Sequence, residues 1–160
     1  MSADIKVGIA DMKIARQTGN LITYALGSCI GICIYDPLAR LAGMIHIMLP
    51  GAPRTGDNKI LKYADTGIME MLRQMEGMGG SRSRFTAKIA GGAKMFEVHG
   101  ESAVGNVGLR NAMATKAVLS TAGIRITGED TGLNHARTML FDAATGKVTV
   151  RSYGKAEKVL

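Results

Sequence analysis

Residues 30–49 read IGICIYDPLARLAGMIHIML, which is two β-rich segments joined by a short turn. The first segment runs from Ile30 to Tyr35 and the second from Leu41 to Leu49. Between them, Asp36 followed by Pro37 is typical of a type I turn, because aspartate favours its first position and proline its second. This stretch therefore predicts an antiparallel hairpin at the centre of the fold.

A four-residue loop from Asp36 to Ala39 would set the register of this hairpin by pairing Tyr35 with Arg40. One face is then continuously apolar, as a buried face requires, and pairs Ile34 with Leu41, Ile32 with Gly43, and Ile30 with Ile45. The other face pairs Cys29 with His46. Because directly opposed residues have Cβ atoms about 4.5–5.5 Å apart, this register predicts a thiol and an imidazole that can touch.

The pairing of Cys29 with His46 predicts a cysteine nucleophile. An imidazole can take the proton of a neighbouring thiol and leave a reactive thiolate–imidazolium pair. Gly27 and Ser28 permit an abrupt entry to the cysteine, so nearby backbone N–H groups could form an oxyanion hole. The competing interpretation is structural, because a cysteine in an apolar strand usually belongs to the core. Cys33 has no base beside it in this register and is predicted to pack.

The rest of the chain predicts two helices and further strands. One helix runs from a cap at Asp57 or Asn58 to about Gly77, and the other from a cap at Asn106 to about Ala122, with Gly123 as its stop. The remaining predicted strands are Ile5 to Ala15, Leu21 to Leu26, Phe85 to Ala90, Ile124 to Thr127, Met139 to Asp142 and Val148 to Ser152. This order favours an α/β fold with mixed or antiparallel sheets over a doubly wound parallel sheet.

Composition and charge narrow the classes of function. The 160 residues carry a net charge of +7, which favours acidic partners, but no basic run or aromatic platform indicates nucleic-acid binding. No apolar run reaches the roughly 18 residues that span a bilayer, and the charged N-terminus is unlike a signal peptide. Cys29 and Cys33 are too far apart along a strand for a disulfide. We therefore expect a cytoplasmic protein with free thiols and no membrane insertion.

Three further features are better explained by structure than by function. The Gly91-to-Lys94 segment lacks the spacing of a phosphate loop and predicts a tight turn near the active site. His99 and His135 have no partner at metal-ligand spacing, so we expect neither a metal nor an organic cofactor. Glu129 and Asp130 are predicted to belong to a solvated turn.

The segment Leu26-Gly27-Ser28-Cys29 is followed by Gly43-Met44-Ile45-His46-Ile47-Met48-Leu49-Pro50. Further characteristic segments are Lys62 to Asp65, Lys88 to Phe96, Gly105 to Asn111 and Phe141 to Val150. Together they resemble the CheD family, the chemoreceptor glutamine deamidases, over nearly the whole chain. Between Thr131 and Arg137 the chain departs from the paired glycines and the Gly-Arg that the family usually shows.

The resemblance implies a catalytic triad of Cys29, His46 and Thr23, with Gly27 and Ser28 supporting the oxyanion and the turn. It also implies that residues 1–160 form a single CheD-like domain, a β-sandwich flanked by two main helices and similar to the catalytic domains of glutamine-deamidating toxins. The implied reaction converts glutamine side chains of methyl-accepting chemotaxis receptors to glutamate without a cofactor, with glutamyl methyl ester hydrolysis as a side activity. The implied second partner is the CheC phosphatase.

Two other functions fit the sequence. The first is the same cysteine hydrolase chemistry on a substrate other than a receptor. The second is a catalytically silent binding module that regulates a phosphatase, for which Cys29 would be dispensable.

Overall fold

A computed structural model describes residues 4–54, 58–95 and 106–160. These residues form two five-stranded sheets, two α-helices and the short 3-10 helix Ile60–Lys62. The strands and helices are β1 Asp4–Lys6, β2 Asp11–Arg16, β3 Asn20–Leu26, β4 Ile30–Asp36, β5 Leu41–Ile47, α1 Ala64–Gly77, β6 Thr86–Gly91, α2 Val107–Thr121, β7 Arg125–Thr131, β8 Arg137–Asp142, β9 Val148–Arg151 and β10 Lys158–Val159. The first sheet has the order β1-β3-β8-β9-β10 and the second the order β2-β5-β4-β6-β7.

The predicted hairpin is β4 and β5, in the second sheet, but its register differs from the prediction by two residues. Asp36 pairs with Leu41 and Gly31 pairs with His46, while Cys29 precedes the paired segment. The predicted opposition of Cys29 and His46 is therefore wrong. Because side chains alternate with a period of two, a shift of two residues leaves each side chain on its predicted face.

The shift arises at the turn, where Asp36 belongs to the strand and residues 37–40 form the loop. The carboxylate of Asp36 accepts hydrogen bonds from the backbone N–H groups of Leu38 at 3.0 Å and Ala39 at 3.1 Å. It also accepts a hydrogen bond from Arg84 Nε at 2.9 Å. Arg40 closes the loop with a φ of 51° in the left-handed region.

The hairpin is buried on both faces. One face, with Ile30, Ile32 and Ile45, packs against the two helices. The opposite face, with Cys33 and Met44, packs against the first sheet and forms what we call the inter-sheet core. The layers are therefore sheet, sheet and helices, which confirms the predicted α/β fold of a β-sandwich flanked by two main helices.

The N-terminal segment forms two strands in different sheets, instead of the single strand predicted from Ile5 to Ala15. The chain turns between them, because Gly8 N–H donates to the Asp11 carboxylate at 3.2 Å and Ala10 has a φ of 56°. This turn lets β1 pair with β3 while β2 pairs with β5.

Helix α1 begins at Ala64, later than predicted. Tyr63 is extended, with φ −113° and ψ 143°, and Ala64 N–H donates to the carbonyl of Leu49 at 2.9 Å. The residues before the helix are thus held to the chain that leaves β5. Of the two predicted caps, Asn58 lies outside the helix, and Asp57 lies outside the described residues.

Helix α2 matches its prediction at both ends, with Asn106 as its N-cap and Gly123 after its end at a φ of 77°. Strand β7 is longer than predicted and carries both Glu129 and Asp130. The prediction of a turn is wrong for both residues, and that of solvation is wrong for Asp130, which is 8% exposed. Among the described residues, neither helix is long and apolar enough to cross a membrane.

Candidate active site

Thr23 and His46 meet between the two sheets. Thr23 lies on β3 and His46 on β5, and Thr23 Oγ1 is 2.7 Å from His46 Nδ1. The Thr23 hydroxyl donates its single proton to the carbonyl of Val7 at 2.8 Å. It must therefore accept the hydrogen bond from His46, which assigns the imidazole proton to Nδ1 and the lone pair to Nε2.

His46 is held in the form of a base. It is 1% exposed, and its Nε2 atom has no hydrogen-bond partner among the described residues. Burial lowers the pKa of His46 to about 4. The imidazole is therefore neutral at physiological pH, with a free lone pair that can accept a proton.

Cys29 lies directly before β4, two residues from Gly31, which is the partner of His46 in the sheet. Cys29 itself lies in a bend at the end of the paired segment, where Ile30 pairs with Ile47, so it enters the hairpin at the end that carries His46. The thiol is partly buried and packs against the inter-sheet core. Burial raises the pKa of Cys29, so the resting side chain is a neutral thiol.

Cys33 lies deeper in the same core. It is 2% exposed, and its Sγ is 3.8 Å from Sδ of Met139 on the facing sheet. Its predicted packing role is confirmed.

A β-bulge in β3 redirects the chain between Thr23 and Leu26. Ala25 has a φ of 57° in the left-handed region, and its carbonyl accepts a hydrogen bond from Gly27 N–H at 3.0 Å. Bulges beside functional sites re-aim side chains in this way. Thr23 stays in the sandwich interior, while the chain crosses to the second sheet through Gly27 and Ser28.

The three carbonyl groups from Gly27 to Cys29 are all hydrogen-bonded. Their donors are Ala93 N–H to Gly27 at 2.8 Å, Asn111 Nδ2 to Ser28 at 2.9 Å, and Gly92 N–H to Cys29 at 2.9 Å. The Cys29 N–H faces the sulfur of its own side chain, and no other described residue accepts a hydrogen bond from it or from the N–H of Ser28. The N–H of Gly27, by contrast, is already engaged with the carbonyl of Ala25.

The Gly91–Gly92 segment lies against Cys29, but Gly91 ends strand β6 and the chain continues without a turn, so the predicted tight turn is wrong. The two glycines have φ angles of 114° and 66°. A Cβ on Gly91 would lie 2.1 Å from the Cys29 carbonyl oxygen, and one on Gly92 would lie 2.9 Å from the carbonyl oxygen of Gly108 in α2. Only glycine allows Cys29, this segment and the start of α2 to stack at backbone distance.

Arg137 contacts the Gly91–Gly92 segment through the carbonyl of Gly91. Its guanidinium is 1% exposed, and Nε donates to the Asp130 carboxylate at 3.1 Å. Nη1 donates to the carbonyl of Gly132 at 2.9 Å and to that of Gly91 at 3.4 Å. Arg137 thereby links the loop before β8 to the segment that contacts Cys29.

The sequence did not single out Val7, Asn111 or Arg137 as site residues. Asn111 did end one of the segments that carry the family resemblance, but its full burial is visible only in the structure. In the described parts of the chain, no three His, Cys, Asp or Glu side chains could hold a metal ion. His99 lies outside the described residues.

The low pKa of His46 makes stability depend on pH. The unfolded residue binds a proton near its ordinary pKa of 6.5, whereas the folded one does so only near 4. Between these values the unfolded state binds more protons, so the free energy of unfolding should fall as the pH drops, by about 3 kcal/mol in total. Urea unfolding at several pH values measures this. His46→Gln should lose that part of the pH dependence, and an unchanged slope in the variant would contradict the buried neutral imidazole.

Comparison with known proteins confirms the resemblance seen in the sequence. The model of the family described as CheD chemotactic sensory transduction matches residues 48–152. A protein of Desulforamulus reducens, named "Probable chemoreceptor glutamine deamidase CheD", is 48% identical over 99% of this chain and 96% of its own length. Proteins of the same name from Syntrophomonas wolfei and from Caldanaerobacter subterraneus subsp. tengcongensis are each 44% identical. These two alignments cover 100% and 98% of this chain, and 100% and 97% of the relatives.

Proposed function

Because the chain belongs to the CheD family, we propose that it hydrolyses glutamine side chains of chemoreceptors to glutamate with Cys29 as the nucleophile. The relatives are named for this reaction. One observation carries the proposal for the mechanism: Thr23 holds His46 with its basic nitrogen free, beside the strand entry that presents Cys29. This is the arrangement of a nucleophile, a base and a third group that orients the base.

The first half of the reaction forms a thioester. The Cys29 thiol gives its proton to His46 Nε2 as the sulfur attacks the carboxamide carbon of glutamine, and a tetrahedral oxyanion forms. The N–H groups of Ser28 and Cys29 donate to the oxyanion. His46 then returns the proton to the leaving nitrogen, the carbon–nitrogen bond breaks, and ammonia departs.

The second half releases glutamate. Neutral His46 accepts a proton from water as the water oxygen attacks the thioester carbon. The carbon–sulfur bond then breaks, and the sulfur recovers its proton from the imidazolium. Thr23 holds Nδ1–H throughout, which keeps Nε2 directed at the reacting atoms and stabilises the imidazolium when it forms.

The resting pair is neutral in this scheme, because burial lowers the pKa of His46 and raises that of Cys29. This differs from the thiolate–imidazolium pair expected from the sequence. Proton transfer then accompanies the attack of the sulfur on the substrate.

A groove beside the cysteine supports a macromolecular substrate. Its volume is about 240 Å³, and its lining includes Gly92, Leu109, Met113 and Leu133. Gly92 donates to the Cys29 carbonyl, so the groove lies near the backbone of the nucleophile, although the thiol is not part of its lining. The three larger apolar side chains are 60%, 61% and 65% exposed. Together with the net charge of +7, this surface suits a helix that is both apolar and acidic.

The direct test is ammonia release from a purified receptor cytoplasmic domain. We expect release that depends on the enzyme and is matched by glutamate formed in the receptor. Release from glutamine peptides but not from the receptor would favour the hydrolase with another substrate. No release from either would contradict the proposed reaction.

The same acyl chemistry extends the proposal to glutamyl methyl esters. Methanol release from a methylated receptor domain tests this side activity. We also propose CheC as a second partner and the cytoplasm as the compartment, where the receptor helices lie. Calorimetry with purified CheC tests this partner, and the absence of binding would contradict the proposed interaction.

The rate of alkylation of Cys29 reports the protonation state of the resting thiol, and no substrate is needed to measure it. Iodoacetamide should label Cys29 in preference to buried Cys33, and the rate should rise with pH from about 6 to about 9, since the pKa of Cys29 is raised. Peptide mapping after timed quenching measures both rates. A fast rate independent of pH over this range would contradict the neutral pair and indicate a preformed thiolate.

A further inference from the structure

Helix α2 carries none of the residues Cys29, His46 and Thr23. One of its side chains nevertheless contacts both the segment that leads into Cys29 and the segment that follows His46. Asn111 is 0% exposed, and its Nδ2 donates to the carbonyl of Ser28 at 2.9 Å and to that of Met48 at 2.9 Å. One amide group thus joins the residue before Cys29 to the chain that leaves β5 after His46. Both N–H donors of the amide are used.

The hydrogen bond to Ser28 fixes the direction of the Cys29 N–H group. The carbonyl of Ser28 and the N–H of Cys29 belong to one planar peptide unit, and no described peptide bond is cis. In a trans unit the two groups point in opposite directions, so holding the carbonyl toward α2 directs the N–H away from α2. Asn111 therefore sets the orientation of a donor that lies on the side of the Cys29 sulfur and has no other acceptor among the described residues.

The neighbouring peptide unit is fixed in the same way by backbone. The carbonyl of Gly27 accepts from Ala93 N–H at 2.8 Å, and its unit carries the N–H of Ser28. In each of these two peptide units, a hydrogen bond to the carbonyl therefore fixes the direction of the N–H group on the opposite side of the unit. The Ser28 donor is anchored by a backbone group, whereas the Cys29 donor depends on a side chain.

The Asn111 side chain is buried although its amide oxygen has no described hydrogen-bond partner. Its Oδ1 is buried without a hydrogen-bond partner among the described residues. A residue that served only to pack would leave no such atom buried, because an unpaired buried acceptor is unfavourable. The two N–H donors are therefore the useful part of this side chain.

We infer that Asn111 is a positioning residue that orients the Cys29 N–H group toward the oxyanion of the tetrahedral intermediate. This rests on the proposed function, because the oxyanion forms only in acyl transfer. Asn111 touches no reacting atom and acts through the Ser28–Cys29 peptide unit.

Asn111→Ala tests the inference, with Thr115→Val as the matched control. Thr115 lies one turn further along α2, is equally buried, and its hydroxyl has no partner in the described part of the chain. For Asn111→Ala we expect kcat for glutamine hydrolysis to fall about 10²-fold with little change in KM, since a misplaced oxyanion donor weakens the transition state alone. Thr115→Val should keep the wild-type kcat.

Alkylation of Cys29 by iodoacetamide separates positioning from a general loss of structure. That displacement forms no tetrahedral oxyanion, so Asn111→Ala should be alkylated at close to the wild-type rate while its hydrolysis is impaired. If Asn111→Ala does not fold, Asn111→Ser provides the same test, because a single hydroxyl cannot donate to both carbonyls.

Three outcomes would overturn the inference. A folded Asn111 variant with wild-type kcat would show that the Cys29 donor needs no side-chain anchor. Equal losses in hydrolysis and alkylation would indicate that the thiol itself is displaced. Absence of glutamine hydrolysis by the wild-type protein would overturn the proposed function together with the inference, whereas the first two outcomes leave that function intact.

Discussion

Cys29→Ala should reduce the rate of ammonia release from a receptor domain on the order of 10⁴-fold or more, to the level of the uncatalysed background. Without the sulfur no thioester can form, and His46 has no thiol from which to take a proton. Because the Cys29 side chain is only partly buried, its removal should leave the fold intact. Ammonia release under saturating enzyme, with circular dichroism of the variant, measures both effects.

Cys33→Ala is the matched control for this experiment. It removes the same thiol four positions along the chain, from a site in the inter-sheet core that faces Met139. We expect a loss of about 1 kcal/mol in stability and a wild-type rate. Equal ammonia release by Cys29→Ala and wild type would contradict Cys29 as the nucleophile, whereas no release by either protein would favour the silent binding module.

Arg137→Met should lower the free energy of unfolding by about 3–5 kcal/mol. Methionine replaces the aliphatic part of arginine but removes its hydrogen bonds, so among the described residues the Asp130 carboxylate keeps only the exposed Lys158 at 3.4 Å. The carbonyl of Gly132 also loses its donor. The cost comes mainly from the Asp130 charge that remains buried, not from the net value of the ion pair.

Arg151→Met is the control, because Arg151 forms an exposed ion pair with Glu157 at 2.6 Å. Removing that pair should cost less than about 1 kcal/mol. Chemical unfolding of both variants provides the comparison. Similar small losses in the two variants would mean that water reaches Asp130 and that the pair is not buried in solution.

The hairpin illustrates what a sequence pattern can and cannot determine. Alternation of isoleucines assigns Ile30, Ile32 and Ile34 to one face in any register that differs by an even number of residues. The pattern therefore predicted the faces correctly but could not distinguish the observed register from one shifted by two. That choice depends on the turn, where the Asp36 carboxylate binds backbone N–H groups and Arg40 adopts a left-handed conformation.

Contacts between segments that are far apart along the chain were harder to predict from the sequence. Thr23 lies on a different sheet from His46, and only the family resemblance pointed to it. Asp130 looked like a solvated turn residue because the sequence does not reveal that the Arg137 guanidinium lies beside it. By contrast, the bounds of α2 were predictable, since Asn106 and Gly123 are local signals of a helix start and end.

The central claim is that this chain converts receptor glutamine to glutamate through Cys29. Site-resolved mass spectrometry of a receptor cytoplasmic domain, after incubation with wild-type protein or with Cys29→Ala, tests it most directly. We predict glutamate at specific receptor positions with the wild-type protein and unchanged glutamine at those positions with Cys29→Ala. Unchanged glutamine in both samples, or the same conversion in both, would contradict the claim.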